Sequence, residues 1–426
     1  MEHNAKFAAR SAIEALRAGV PNSYSVRALG CDQPRVERAF TEQLDAAARG
    51  DGVDGLLIRG DFGTGKSHTL SFLGELALER RFVVSRIFVN KETPLHDPAK
   101  LFQGAADSIA LPSRTGPAFT EIANQLVFNS TPYREFERWV NQQGHSGHLD
   151  PRFAASLLLF ERCQSDHEFR DHMIRFWGGG KLALTALRSR MKQLGAPLAT
   201  GHTTLRELAA QRFQFASRLM RAAGYAGWVL LVDEVELLGT YSALQRAKSY
   251  IEIARLMNHA DKATLPIVPV FAITDDFTRA ILEDKDDFGK IPALMEGRAV
   301  FTDSIDIQMA IDGMRSLADN GLSMKRPDLT SLDETFGRIR ALYAKAFDWE
   351  PSSVTPPRRE QTTSLRAYIR RWITEWDLRR LHPEAEVQLE TSEWQTDYRE
   401  GPPAGADKGE VASDQSLIDS ILGDIA

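Results

Sequence analysis

The amino-acid sequence predicts an α/β protein: a parallel sheet with helices on its faces, a long helical insertion and a mainly helical C-terminal region. Three observations carry that prediction. Short β-branched and aromatic runs, "RFVVSRIFVN", "GWVLLVDEVELLG" and "LPIVPVFAITDDF", alternate with segments of helical periodicity. A glycine-rich stretch, "GDFGTGKS", joins an apolar strand to a helix-like pattern. One of the buried strands ends in two acids, Asp233 and Glu234.

Residues 4–18 space their apolar positions as a helix does, whereas "VPNSYSVRALG" reads as a loop with a short extended piece. "DQPRVERAFTEQLDAAARG" is a helix ended by Gly50. A strand from Gly55 to Arg59, the glycine loop and a helix to about Arg80 come next, followed by the strand "RFVVSRIFVN". From about Lys91 to Gly227, polar and apolar segments alternate with breaks such as "ALPSRTGPAF" and "NQQGHSGHLDP". This is expected to be a mostly helical insertion between two strands of a parallel sheet. The helical "YSALQRAKSYIEIARLMNHA" separates the last two strands, and after Ile305 the strand signal fades and helices dominate to about Leu381. "GPPAGADKGEVASDQ" reads as a flexible acidic linker before the short amphipathic end "SLIDSILGDIA". The expected division is an N-terminal helical segment over 1–50, a nucleotide-binding core over 51–300 with the insertion at about 91–227, a helical lid over 301–383, and an acidic tail over 384–426.

Composition narrows the class. The 426 residues are 43% hydrophobic and 26% charged, and no apolar run approaches the roughly 18–20 residues that span a bilayer. The N-terminus lacks the continuous apolar block of a signal peptide. Cys31 and Cys163 are too few for a disulfide framework or a four-ligand zinc site. A cytoplasmic protein with no membrane partner is expected. The net charge of −6 argues at first against nucleic acid. From Glu384 onward, however, eleven acids face only Arg399 and Lys408, a charge of −9, so the body of the chain carries +3. A nearly neutral body can still present a basic face.

The glycine stretch matches the phosphate-loop pattern GxxxxGK[ST] at every fixed position. Gly60, Asp61, Phe62, Gly63, Thr64, Gly65, Lys66, Ser67 and the adjoining His68 are therefore the expected nucleotide contacts. Glycines let successive backbone N–H groups turn onto phosphate oxygens, Lys66 brings a charge to the β and γ phosphates, and the Ser67 hydroxyl ligates Mg²⁺. Val229–Val232 followed by Asp233 and Glu234 is the Walker B pattern. Asp233 would hold Mg²⁺ through water and Glu234 would act as general base. ATP and Mg²⁺ are the expected ligands. Thr274 closes "VPVFAIT", where a polar group senses the γ-phosphate, and Asn90 closes "RIFVN", where an amide holds Glu234 away from water. Each has a plainer reading as a strand-end cap or turn former.

A GTPase is excluded: "NKET" at Asn90 has threonine where aspartate is needed and precedes the Walker B strand, and Asp233 has no glycine three residues on. The acid pair, the polar residue closing the next strand and the later helices resemble the AAA+ ATPases, particularly the branch containing the origin-recognition initiators. That resemblance makes "TSLRAYIRRWITEW" the lid motif, with Arg366 as the sensor arginine and Arg370 as the fallback, and makes Arg298 in "LMEGRAVF" the arginine finger. A solvated helix face is the plain alternative for each.

A closer resemblance is carried by "LLIRGDFGTGKSHTL", "FVNKETPLHDP", "WVLLVDEVELLG" with "KSYIEIARLMN", and "LRAYIRRWITEWD". Together these look like the BREX-type phage-defence ATP-binding proteins, over roughly residues 10–382. The resemblance implies an ATPase that forms ADP and phosphate and works with other defence-system proteins at DNA. A finger from a neighbouring subunit further implies assembly of copies on ATP or DNA binding. The rival expectation is a signalling or scaffold ATPase of the STAND kind, whose nucleotide state gates protein assembly without touching DNA. The arginines of "TPPRREQTTSLRAYIRRWITEWDLRR", interleaved with Tyr368, Trp372 and Trp376, suit phosphate contacts. They equally suit a lid helix whose aromatics are core.

Overall fold

The computed structural model describes residues 2–112, 114–182, 184–196, 198, 203–257, 266–296, 304–319, 321–325, 328–351 and 365–384. Its centre is a six-stranded sheet of β1 (Leu56–Arg59), β2 (Val83–Phe88), β3 (Ile109–Ala110), β4 (Trp228–Asp233), β5 (Ile267–Ile273) and β6 (Gly321–Ser323), in the order β3-β2-β4-β5-β1-β6. Every neighbouring pair is parallel except β2 with β3. The strand before the glycine loop and the strand ending in Asp233 are not neighbours, because β5 lies between them. The C-terminal ends of all three strands therefore open on one edge, which is where ligands sit in such sheets.

Both faces are covered, as a parallel sheet requires. Alternation along each strand divides the apolar residues between two cores. On one face, Val36, Phe40 and Leu44 of α3 (Pro34–Arg49) and Leu70, Leu73 and Ala77 of α4 (Lys66–Glu79) pack with Ile58, Leu231 and Val270. On the other, Leu57, Leu230, Val232 and Phe271 meet the insertion and the helices that follow it.

The insertion between β2 and β4 comprises α5 (Pro98–Asp107), β3, α6 (Ala118–Asn124), α7 (Thr131–His145), α8 (Pro151–Arg162), α9 (His167–Trp177), α10 (Leu184–Gln193) and α11 (Leu205–Ala222). Local chemistry starts these helices: Asp97, Ser130, Asp150 and Asp166 cap α5, α7, α8 and α9, and Thr204 closes a capping box with Glu207 on α11. Aromatic rings fill the interior, with Phe102 on Phe213 at 5.0 Å, Phe153 on Phe215 at 4.9 Å and Phe160 on Trp177 at 4.8 Å. Phe213 stacks on Trp228 of β4, joining the insertion to the sheet. A buried relay completes that joint: Trp228 Nε1 donates to Ser85 Oγ (2.9 Å), which donates to the carbonyl of Ala105 (2.7 Å).

Beyond β4 the chain forms a 3₁₀ turn (Val235–Thr240), α12 (Ala243–Leu256), β5, a π-helical turn (Thr278–Glu283), α13 (Asp287–Glu296) and α14 (Ser304–Asp319). The last helices are α15 (Leu329–Phe347) and α16 (Leu365–Leu381). The N-terminal helix α1 (Glu2–Ala18) packs with this last pair: Ile13 and Leu16 share a core with Ile339, Tyr343, Trp372, Ile373 and Trp376. The lid core is thus built from both ends of the described chain, while α14 packs on α12 and lends Met314 and Leu317 to the main core.

One expectation needs correction. "VPNSYSVRALG" contains a helix, α2 (Ser23–Leu29), in place of an extended piece. Asn22 and Ser25 form its capping box, Ser25 N donating to Asn22 Oδ1 (2.8 Å) and Asn22 N to Ser25 Oγ (3.0 Å). Helices dominate after Ile305, and the short β6 adds to β1 there. The insertion is mostly helical and adds the two-residue β3 to β2. At two and three residues these strands owe their form to the neighbour they pair with. Tyr368, Trp372 and Trp376 are buried in the core shared with α1, so these aromatics face inward, while Arg366 and Arg370 are exposed.

Candidate functional site

The glycine loop leaves β1 at Gly60, whose N–H donates to the carbonyl of Ile273 on β5 (3.2 Å), so the loop is tied to the neighbouring strand end. Arg59, the last residue of β1, donates to Thr278 Oγ1 (2.9 Å) and to the carbonyl of Ala318 (3.0 Å), fixing the strand end to α14. Gly63 and Gly65 both have positive φ, 74° and 100°, a conformation that costs glycine nothing. Gly65 stands at the N-cap of α4 with no side chain to cap it, so the first N–H groups of α4 face the loop. Lys66 is buried; its Nζ donates to the carbonyls of Gly60 (2.8 Å) and Asp61 (3.4 Å) and lies 5.3 Å from the Phe62 ring centre. Thr64 Oγ1 donates to the Asp61 carbonyl (2.8 Å), bracing the turn.

Asp233, also buried, closes β4 beside this loop. Its Oδ1 accepts the N–H of Glu234 (3.1 Å) and its Oδ2 accepts from Arg86 Nη2 (3.2 Å). Glu234 has left-handed backbone angles, φ 60° and ψ 34°, unusual for a residue with a side chain. Such strain, on the order of 1–2 kcal/mol, gathers at functional sites. Burial, with Asp233 adding to it, holds the Glu234 carboxyl above the ordinary carboxylate range, against the pull of Arg366, Lys66 and Arg86. A raised pKa makes a stronger base.

Two residues in this site carry no motif. Arg86 of β2 bridges α4 to β4: besides Asp233 it donates to the Ser67 carbonyl (3.0 Å) and to Ser71 Oγ, with its guanidinium 4.8 Å from the Phe88 ring centre. Glu236, on the 3₁₀ turn, is 3% exposed and places Oε1 3.9 Å from Lys66 Nζ. An arginine inside a mostly apolar strand and a third acid two residues after Glu234 were the available signals in the sequence.

The other expected residues fall as follows. Thr274 is buried at the end of β5, between the loop strand and β4. Asn90 uses its Oδ1 to accept from the N–H groups of Glu92 and Thr93 (2.8 Å each) and from the Thr93 hydroxyl (3.0 Å), the turn-forming use that the sequence equally allowed. Arg366 comes to the loop: its N–H lies 3.4 Å from the Gly63 carbonyl and its side chain packs on Gly19. Arg370 turns to the carbonyl of Arg17 (3.1 Å). Arg298 and the tail beyond residue 384 lie outside the described residues. Next to the loop a cavity of about 190 Å³ opens between α1, the loop and the lid, walled by Leu16, Pro21, Leu29, Met324, Leu365 and Ile369. His68 lines it with Nε2 2.7 Å from the Gly30 carbonyl, and burial holds its pKa below the usual histidine range.

No group of three or more His, Cys, Asp or Glu gathers as a metal cage among the described residues. The donor set, one hydroxyl from Ser67 and one carboxylate from Asp233, fits an ion that keeps waters and shares the substrate's phosphates, as Mg²⁺ does.

A doubly covered parallel sheet with a glycine loop at one strand end, a lysine inside it and two acids at another strand end defines a P-loop NTPase-like protein. The chain belongs to the BREX system ATP-binding protein BrxC/D family, whose sequence profile matches residues 5–181 and 206–355. No curated protein and no solved structure matches it. Membership makes ATP the nucleotide and other defence proteins the company it keeps. No helix among the described residues is long and apolar enough to cross a membrane.

Proposed function

We propose that the protein hydrolyses ATP to ADP and phosphate at the 60–67 loop, and that the nucleotide cycle acts at DNA or loads a partner protein there. The observation that carries the hydrolytic half is the placement of Glu234: a strained, solvent-accessible residue whose partly buried carboxyl has a raised pKa, acted on by the charges of Lys66, Arg86 and Arg366. In this reading the N–H groups of the loop and Lys66 hold the triphosphate. Ser67 and Asp233 would hold Mg²⁺, which when bound neutralises charge on the β and γ phosphates. Glu234 takes a proton from water as its oxygen attacks the γ-phosphorus, and the bond to the β–γ bridging oxygen breaks, leaving ADP. Thr274 senses the γ-phosphate, and Asn90 restrains Glu234 through its amide nitrogen. Arg366 reports the nucleotide to the lid, and Arg298 of a neighbouring copy stabilises the transition state. The cavity beside the loop, with its apolar walls and polar groups such as Asp32, Gln33 and Arg338, takes the nucleoside.

Nucleotide binding and turnover of two variants test the hydrolytic assignment. Lys66→Ala should lose ATP binding. Glu234→Gln should keep binding and lose turnover by a factor of about 10² or more. Turnover of Glu234→Gln at the wild-type rate would remove Glu234 as the base.

A further inference from the structure

Glu236 has no part in the chemistry above, yet its carboxyl group reaches the phosphate loop. The residue is 3% exposed, and Oε2 makes no hydrogen bond with any described residue. Oε1 lies 3.9 Å from Lys66 Nζ, too long for a hydrogen bond but close for two charges out of water. Lys66 spends donors on the carbonyls of Gly60 and Asp61, so its ammonium stands between the loop on one side and Glu236 on the other. The other charged groups acting on Glu236 are Asp233 and Glu234 at the end of β4, both acidic. Its environment is therefore one cation and two acids. A carboxylate so placed is costly without its cation.

We infer that Glu236 is a positioning residue whose carboxylate competes with the triphosphate for Lys66, so that its charge sets the affinity for ATP. The inference rests on residues 60–67 being the triphosphate cradle. A phosphate oxygen that takes Lys66 leaves Glu236 facing an anion with no counter-charge, which weakens binding. An amide of the same shape removes both the competition and the repulsion. Burial pushes the Glu236 carboxyl up to about 7, against the pull of Lys66. The group is therefore mostly charged at pH 8 and mostly neutral at pH 6, and its opposition to ATP should be full at the higher pH and fade at the lower.

The test compares dissociation constants of a slowly hydrolysed ATP analogue for wild type, Glu236→Gln and Glu236→Asp at pH 8 and pH 6. Glu236→Gln should bind on the order of ten-fold tighter than wild type at pH 8, with the gap closing at pH 6, while Glu236→Asp follows wild type. The terminal phosphate titrates in the same range but does so equally in every variant. Equal affinities at pH 8, or weaker binding by Glu236→Gln, would overturn the inference. Should Glu236→Gln fail to fold, calorimetry of wild type at pH 8 in two buffers of different ionisation heat decides. Proton uptake on binding supports the competition, and no uptake, or release, rejects it. Lys66→Ala separates the two levels: if it binds ATP as wild type does, the cradle itself is misassigned.

Discussion

Arg246 and Asp287 put opposite charges almost wholly out of water, at 3% and 0% exposure, and meet through two bonds of 2.8 Å. Tyr250 adds its hydroxyl to Asp287 (2.6 Å), and Arg246 also donates to the Tyr241 carbonyl (2.6 Å). Replacing such a pair with apolar residues is often harmless, whereas removing one partner strands a buried charge. Arg246→Ala should therefore lower the unfolding free energy by about 3–5 kcal/mol, read from denaturant melts. A loss under about 1 kcal/mol would mean that Asp287 finds water or a proton at little cost. At this scale the motifs were legible, because the loop and the Asp233-Glu234 pair are runs of neighbours in sequence. Arg86 and Glu236 were not, since their roles depend on which strand lies beside β4 and which turn faces α4.

Between α12 and α14 the backbones come into direct contact at Gly313, where a Cβ would lie 2.0 Å from the Tyr250 carbonyl oxygen. Helix propensity alone predicts that alanine there stabilises by about 1 kcal/mol. The clash is with backbone and forces the helices apart, which costs about 1–3 kcal/mol or more. Packing should win, and Gly313→Ala should melt at a lower temperature than wild type; a higher melting temperature would show that the helices separate freely. Long elements with a clear period were readable: α3 ends at Gly50 in the left-handed conformation as expected, and β4 and β5 stand where their apolar runs lie. The short ones were not. α2 owes its start to a capping box of Asn22 and Ser25, in which the serine does the work of the usual Glu or Gln. β3 and β6 are too short to show a period and exist because β2 and β1 offer them an edge.

Considered as one molecule, the chain has a slightly basic body and a strongly acidic tail. With Tyr368, Trp372 and Trp376 buried, any contact of this stretch with DNA would be ionic, through its arginines, with no base stacking from these rings. Binding to DNA should then weaken steeply with salt, the logarithmic slope falling by about 0.9 per phosphate neutralised. Retention measured at rising salt, with and without ATP, checks this. No retention at low salt in either state would sink action at DNA and favour a scaffold whose nucleotide state gates protein assembly. The placement of the insertion has another outcome, which concerns how the chain reaches this state. Val83–Phe88 and Trp228–Asp233 pair residue by residue although α5–α11 lie between them in sequence. Closing so large a loop costs chain entropy before any ladder bond repays it. The aromatic cluster of the insertion, ending at Phe213 against Trp228, shortens that loop if it gathers first. Folding of the proposed nucleotide site is thereby coupled to the collapse of helices that do not line the cavity beside its loop. Changes deep in the insertion would show first as slower maturation of the protein, with the finished site unaltered.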